Sequence, residues 1–290
     1  MPMFRYLLAA TTGLALLATA NNAHATAYAY GNINFTNLSL SGLTASGVTL
    51  NSANVQTRDS AGYPGATAAS NAASATNQAS PLTAGSDVAQ ATSGPGPFPG
   101  ENTYTQALLN SVGTRGDAQL VGNLLTGVGT GANDVAEGRI ITPGTASSTA
   151  GTSTGFQVVV TTTATQTFTL AFNADDSVIA TTTNPGEFAS AQANASFTVT
   201  GAGIATQTFA PAALNISTTS TGGNSNPISN ASSPYNFSVT LAAGTYQFSL
   251  LSGAQEQVQA TTPAAVPEPA SMALLGVGLA GIGLIRRRRA

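Results

Sequence analysis

The chain has 290 residues, of which 7% are charged, with a formal net charge of −3, and it contains no cysteine, no tryptophan and no lysine. Without cysteine there are neither disulfide staples nor thiolate metal sites, so stability has to come from apolar burial and sheet hydrogen bonding. Between Thr26 and Val266 ten acidic residues stand against three arginines, which argues against a nucleic-acid partner, because neutralising phosphates takes clustered Lys and Arg.

Residues 1–25 open with one positive charge at Arg5, continue uncharged and apolar from Tyr6 to about Ala20, and close on Ala23-His24-Ala25. This is the pattern of a signal peptide for the Sec translocon, with small residues Ala23 and Ala25 fitting signal peptidase and the cut expected between Ala25 and Thr26. The alternative is an uncleaved N-terminal anchor. If the cut occurs, His24, the only histidine of the chain, leaves with the signal.

Roughly 240 residues remain for folding, enough for one all-β domain or two small ones. In 26–57, Ile33 and Phe35, then Leu38 and Leu40, fall at two-residue spacing and predict one or two strands with one apolar face. Residues 58–102 are poor in large apolar side chains, rich in Ala, Ser, Asn and Gly, and end in the run Gly94-Pro95-Gly96-Pro97-Phe98-Pro99-Gly100, which reads as a long low-complexity loop. A β-rich body is expected over 103–262. At its start, Leu108, Leu109 and Val112, then Leu120, Val121, Leu124 and Leu125, have helical spacing and predict one or two short helices within 103–129.

Further on, the run 156–172 alternates through Phe168, Leu170 and Phe172, and 177–183, 195–201 and 213–218 are short β-branched runs between Gly, Pro and Asn breaks. Strands at this spacing predict an antiparallel β-sandwich with long low-complexity loops. Residues 235–241 and 246–250, joined by Ala242-Ala243-Gly244-Thr245, alternate apolar with polar in both arms and read as a β-hairpin lying on the core through Phe237, Tyr246 and Phe248.

The segment 263–290 has a different character. Val266-Pro267-Glu268-Pro269 cannot continue a helix and holds the chain extended. Sixteen uncharged residues, 270–285, follow and then Arg286, Arg287, Arg288 and Arg289. As a transmembrane helix the apolar part reaches about 24 Å, slightly short of a hydrocarbon core, and the arginines hold its C-terminal end in the cytoplasm. The body then lies outside the inner membrane. This order of parts resembles the PEP-CTERM sorting signal of Gram-negative bacteria, read by the membrane enzyme exosortase. The resemblance implies transient residence in the inner membrane, processing near Pro267–Pro269, and delivery to the cell surface or to an extracellular matrix rich in exopolysaccharide, as in a biofilm. A plain tail anchor is the alternative, and the resemblance is silent on the body.

With His24 removed, the mature chain lacks the usual general base, the thiolate nucleophile, the Schiff-base amine and the common transition-metal ligands. A glycosidase needs only two carboxylates, but nothing in the spacing of Glu101, Glu137, Asp175 and Glu187 favours a pair. No cofactor and no enzymatic activity are expected. Asn173, Asp175 and Asp176 offer three oxygen ligands in four residues at an expected strand end, a candidate calcium loop without the Gly and final Glu of an EF-hand. Two roles for the body remain: a non-enzymatic surface or matrix protein, and a carbohydrate-binding module recognising the exopolysaccharide. The absence of tryptophan for a sugar-stacking platform favours the first.

Overall fold

The computed structural model describes residues 26–62, 69–76, 86–91, 102–108, 112–124, 127, 129–141 and 146–260. These lie within one compact unit, Ala25–Thr261. Its strands are β1 (Ala27–Ser41), β2 (Val48–Gly62), β3 (Ala69–Thr76), β4 (Ser86–Ala91), β5 (Gly113–Val121), β6 (Gly131–Ile140), β7 (Ala146–Thr162), β8 (Gln166–Thr182), β9 (Phe188–Gly201), β10 (Gln207–Phe209), β11 (Ile216–Thr221), β12 (Ser225–Leu241) and β13 (Gly244–Ala260). They form two antiparallel sheets, in the order β12-β8-β1-β6-β5-β4 for sheet A and β10-β9-β13-β7-β2-β3 for sheet B, with β11 also paired to β9. The fold is mainly β, as the alternation in the sequence predicts.

Period-two burial is most regular in β8 and β9. In β8, Phe168, Leu170, Phe172, Ala174, Val178 and Ala180 turn inward, while in β9 Ala189, Ala191, Ala193, Ala195, Phe197 and Val199 do so. Successive side chains of a strand point to opposite faces, so each strand contributes every second residue to the core between the sheets. In β1 the spacing from Phe35 to Leu38 is odd and would break this rule. A bulge between Thr36 and Ser39, with Asn37 at φ 56°, takes up the extra residue and returns Leu38 and Leu40 to the inner face.

One end of the core is aromatic. Phe168 of sheet A lies 4.9 Å from Phe248 of sheet B, and Phe197 of sheet B lies 5.6 Å from Phe237 of sheet A, measured between ring centroids. The other end is filled by alanine, serine, threonine and glycine, and there the sheets come close. A Cβ on Gly31 of β1 would stand 2.8 Å from the Gln192 carbonyl oxygen of β9, so only glycine allows that approach.

Three expectations are corrected. No α-helix occurs among the described residues of 103–129: Gly113–Val121 is β5, hydrogen-bonded to β4 and β6. The apolar spacing there comes from Leu120 inside a strand and Leu124 in the turn beyond it, both buried, and a short apolar run cannot separate the two periodicities. The stretch 58–102 is not a single loop, since β2 runs on to Gly62 and β3 and β4 lie within it; strand pairing is made by backbone groups and does not need large apolar side chains, and β2 pairs with β3 along Asn54–Ala61.

The third correction concerns residues 235–250, which do not form a hairpin. β12 pairs with β8 in sheet A, whereas β13 pairs with β7 and β9 in sheet B. The two-residue connection Ala242–Ala243 is an arch between layers, fastened by the Tyr246 hydroxyl donating to the Ala242 carbonyl at 3.1 Å. Phe248 and Tyr246 are buried, but Phe237 sits half-buried on edge strand β12. Phe237→Ala is accordingly expected to cost about 1 to 2 kcal/mol, well under the cost at fully buried Phe248. Urea midpoints of the two alanine variants give the order, and an equal or larger loss at Phe237 would contradict it.

Candidate functional site

Strands β5 and β6, with β13 from the opposite sheet, bring charged residues together. On the outer face of sheet A, Arg115 of β5 is completely buried, and its Nη2 lies 3.0 Å from Glu137 Oε2 of β6 and donates to the Thr105 carbonyl at 3.0 Å. Its Nη1 donates to the Thr103 carbonyl and lies 3.9 Å from Asp117 Oδ2. Glu137 also accepts from the Tyr28 hydroxyl at 2.7 Å and from the amides of Ala107 and Leu108 at 3.1 and 3.0 Å. Asp117 accepts from the amides of Asn102 and Thr103. The segment 102–108 is thus held over the sheet by backbone bonds to one buried charge cluster. Burial first, then the Glu137 charge, pushes the Tyr28 hydroxyl far above its ordinary range, so Tyr28 stays a donor.

Between the sheets lie two further carboxyls. Asp134 of β6 accepts from Thr154 Oγ1 at 2.8 Å and Ser252 Oγ at 2.7 Å, and burial pushes its pKa up to about 6 against the opposing hydroxyls of Ser252, Thr154 and Thr152. Glu256 of β13 accepts from Thr114 Oγ1 at 2.7 Å through Oε1 and occupies the space in front of Gly138, where a Cβ would stand 2.4 to 2.6 Å from its carboxylate. Burial pushes Glu256 up to about 8, the Thr114 hydroxyl opposing and the Glu137 charge adding to it.

A third carboxylate closes a corner. Glu187, 3% exposed, follows the turn Asn184-Pro185-Gly186, in which Gly186 has φ 84° as the third position of a type II turn requires. Its oxygens accept from the amides of Thr183 at 2.6 Å, Asn184 at 3.0 Å and Thr26 at 3.1 Å.

Of the residues singled out in the sequence, Asn173, Asp175 and Asp176 are described. They stand inside the seventeen-residue strand β8, not at a strand end, and adjacent positions face opposite ways. Asp175 accepts from Asn34 Nδ2, whereas buried Asp176 accepts from Asn230 Nδ2, both at 2.9 Å. The trio does not converge, and no group of three acidic or histidine side chains able to hold a metal occurs among the described residues. Glu137, Asp175 and Glu187 lie apart in three separate hydrogen-bond systems, and Glu101 lies outside the described residues. So do Ala23, Ala25, Val266, Pro267, Glu268, Pro269 and Arg286–Arg289, together with the apolar segment 270–285. No helix among the described residues is long and apolar enough to cross a membrane.

Residues 265–289 match the family model of the PEP-CTERM protein-sorting motif. The chain carries a PEP-CTERM sorting signal. The motif marks an exported protein sorted to the cell surface in Gram-negative bacteria, with exosortase as its processing partner. No curated protein matches the chain.

The described surface of the PEP-CTERM chain's body is hydroxyl-rich and sparsely charged, Arg58 being exposed and Arg139 and Asp175 partly so. Cross-strand pairs Thr167–Thr240, Thr169–Ser238, Thr181–Ser225 and Thr161–Thr245 link hydroxyls at 2.8 to 2.9 Å. A shallow trough of about 570 Å³ crosses the outer face of sheet B, lined among others by Ser60, Ser190, Gln192, Ser217, Gln255 and Gln257. Every aromatic ring among the described residues is buried or half-buried. The sequence missed the charge systems because Arg115 and Glu137, or Thr26 and Glu187, share no local motif; the one local signal was the Asn-Pro-Gly turn that presents Glu187.

Proposed function

We propose that the chain is a non-enzymatic surface or matrix protein: the Sec translocon and signal peptidase deliver it, the tail holds it briefly in the inner membrane, and exosortase transfers it to an exopolysaccharide-rich envelope or biofilm. The observation that carries the reading is the sorting motif at 265–289 with its parts in order, the Pro-bracketed Glu268, the apolar run and the arginines. The body adds support, because the acidic groups described above are engaged in holding strands and loops, while the faces turned to solvent present hydroxyls and amides suited to a hydrated polymer. The trough on sheet B keeps a second reading open, a module that binds the polysaccharide through Gln, Ser and Thr side chains.

The motif and the apolar run have separable roles. Replacing Pro267 and Glu268 by alanine should leave membrane insertion intact while full-length protein accumulates, because the charge and apolar run that drive insertion are untouched. The mass of the C-terminal peptide in surface-fraction protein, from cells with and without exosortase, decides the matter. Arginines retained by the wild-type protein in both strains would leave only a plain tail anchor. A polysaccharide pull-down with the surface-fraction protein separates the two roles of the body, and retention abolished by Gln192→Ala and Gln255→Ala would favour the module.

A further inference from the structure

Thr26 begins the described chain and immediately precedes β1, which lies between β6 and β8 in sheet A. Its backbone nitrogen lies 3.1 Å from Glu187 Oε1 and 3.2 Å from Thr183 Oγ1, and its carbonyl accepts from the same Thr183 hydroxyl at 3.2 Å. Glu187 is buried, and the donors around it are backbone amides, the Asn184 side-chain amide and the Thr183 hydroxyl, all neutral. Arg115, the cation buried in this body, is engaged elsewhere, with Glu137 and Asp117. A buried carboxylate served only by neutral donors carries an uncompensated charge, and adding a cation at hydrogen-bond distance stabilises it.

We propose that Glu187 is the receptor for the mature chain's own α-ammonium group, which signal-peptide removal creates on Thr26. This rests on the export reading, specifically on the cut at Ala25–Thr26. Hydrolysis of that peptide bond consumes one water, leaves a carboxylate on Ala25 and an amine on Thr26, and the amine takes up a proton at neutral pH because its ordinary pKa is about 7.7 to 8.0. The neutral amide donor at 3.1 Å is thereby replaced by a cation at the same place. A chain end that would otherwise fray is tied to the turn between β8 and β9, and with it the edge of a strand that has neighbours on both sides. The counter-charge that completes the corner exists only after export. Of the other elements beside Thr26, β6 brings Arg139, which lies opposite Tyr28 and donates to the Leu108 carbonyl, and β8 ends in uncharged Thr181 and Thr182.

Because the chain has no lysine, the mature protein holds a single primary amine, and an amine-acylating reagent reads that group alone. The experiment takes exported, processed protein, fixes its first residue by mass, and follows acetylation by an N-hydroxysuccinimide ester against pH, folded and in urea, for wild type and Glu187→Gln. The expected result is a Thr26 start, labelling about ten-fold slower in the folded protein, a titration midpoint raised by about one pH unit, and loss of both effects in Glu187→Gln. The fully acetylated wild type should also melt at a lower temperature than the unmodified protein. A Thr26 start with the labelling rate and midpoint of an unfolded chain overturns the pairing while leaving the cut in place. Slow labelling that Glu187→Gln does not relieve overturns it too, since burial alone would then be the cause. Any other first residue overturns both the cut and the pairing. Should Glu187→Gln fail to fold, the wild-type midpoint, folded against urea, still decides.

Discussion

Replacing Arg115 by alanine is expected to cost about 3 to 5 kcal/mol, because it strips the completely buried guanidinium that pairs with Glu137 and Asp117. Glu137 would keep its bonds from Tyr28, Ala107 and Leu108 but lose the guanidinium 3.0 Å away, and the carbonyls of Thr103 and Thr105 would lose their donor. Segment 102–108 should therefore loosen as well as the sheet weaken. The discriminating comparison is a double replacement, Arg115→Met with Glu137→Gln. It removes both charges and should recover part of the loss, since an apolar or neutral pair avoids the desolvation that the single variant leaves uncompensated. Urea unfolding of the three variants, with limited proteolysis near 102–108, tests this. A single-variant loss below about 1 kcal/mol would mean that water reaches the cluster and that the pair is held no more tightly than a surface ion pair.

The second large effect is one of pH. Glu256 is held neutral by burial, its pKa raised from 4.5 to about 8. A raised carboxyl binds its proton more tightly folded than unfolded, so its contribution to stability is full below the unfolded value and is lost as pH rises through the folded one. From this group stability should fall between about pH 4.5 and pH 8, and Asp134 should add a fall between 3.8 and about 6. The Glu256 contribution is on the order of 3 kcal/mol, at 1.36 kcal/mol for each pKa unit and discounted for relaxation of the site. Glu256→Gln keeps the shape and an acceptor for Thr114 but cannot ionise. It should match the wild type within about 1 kcal/mol at pH 4.5 and exceed it on the order of 3 kcal/mol at pH 9. Equal pH slopes for the two proteins would show that the Glu256 side chain is hydrated rather than sealed behind Gly138. Gly138→Ala should be poorly tolerated at any pH, because its methyl group would occupy the place of the Glu256 carboxylate.

Both effects stem from residues whose sequence neighbourhoods look unremarkable. Arg115 and Glu137 lie in stretches of Gly, Ala and Thr, and their pairing depends on β5 and β6 lying side by side with Arg115 directly opposite Glu137. Glu256 sits in the run Ala254-Gln255-Glu256-Gln257, which gives no hint of burial until β13 is seen to turn it toward Gly138 on the opposite sheet.

What the sequence alone determined is whatever has a local period or a fixed order. Two-residue alternation in 166–172, 195–199 and 246–250 dictates strands, because a strand turns every second side chain to one face and a helix cannot satisfy that pattern. The sorting tail was legible for the same kind of reason, as its prolines, apolar run and arginines are contiguous. Only the tertiary structure decided which strands became neighbours. Ala242–Ala243 is short enough for a hairpin, yet β12 and β13 part into opposite sheets, where Phe237 of β12 packs on Phe197 of β9 and Phe248 of β13 on Phe168 of β8. It also decided that Asp175 and Asp176 part company across β8, and that Thr26 and Glu187, far apart in the chain, meet at one corner. Those outcomes depend on contacts between residues distant in sequence, whose energies no local window of the chain contains.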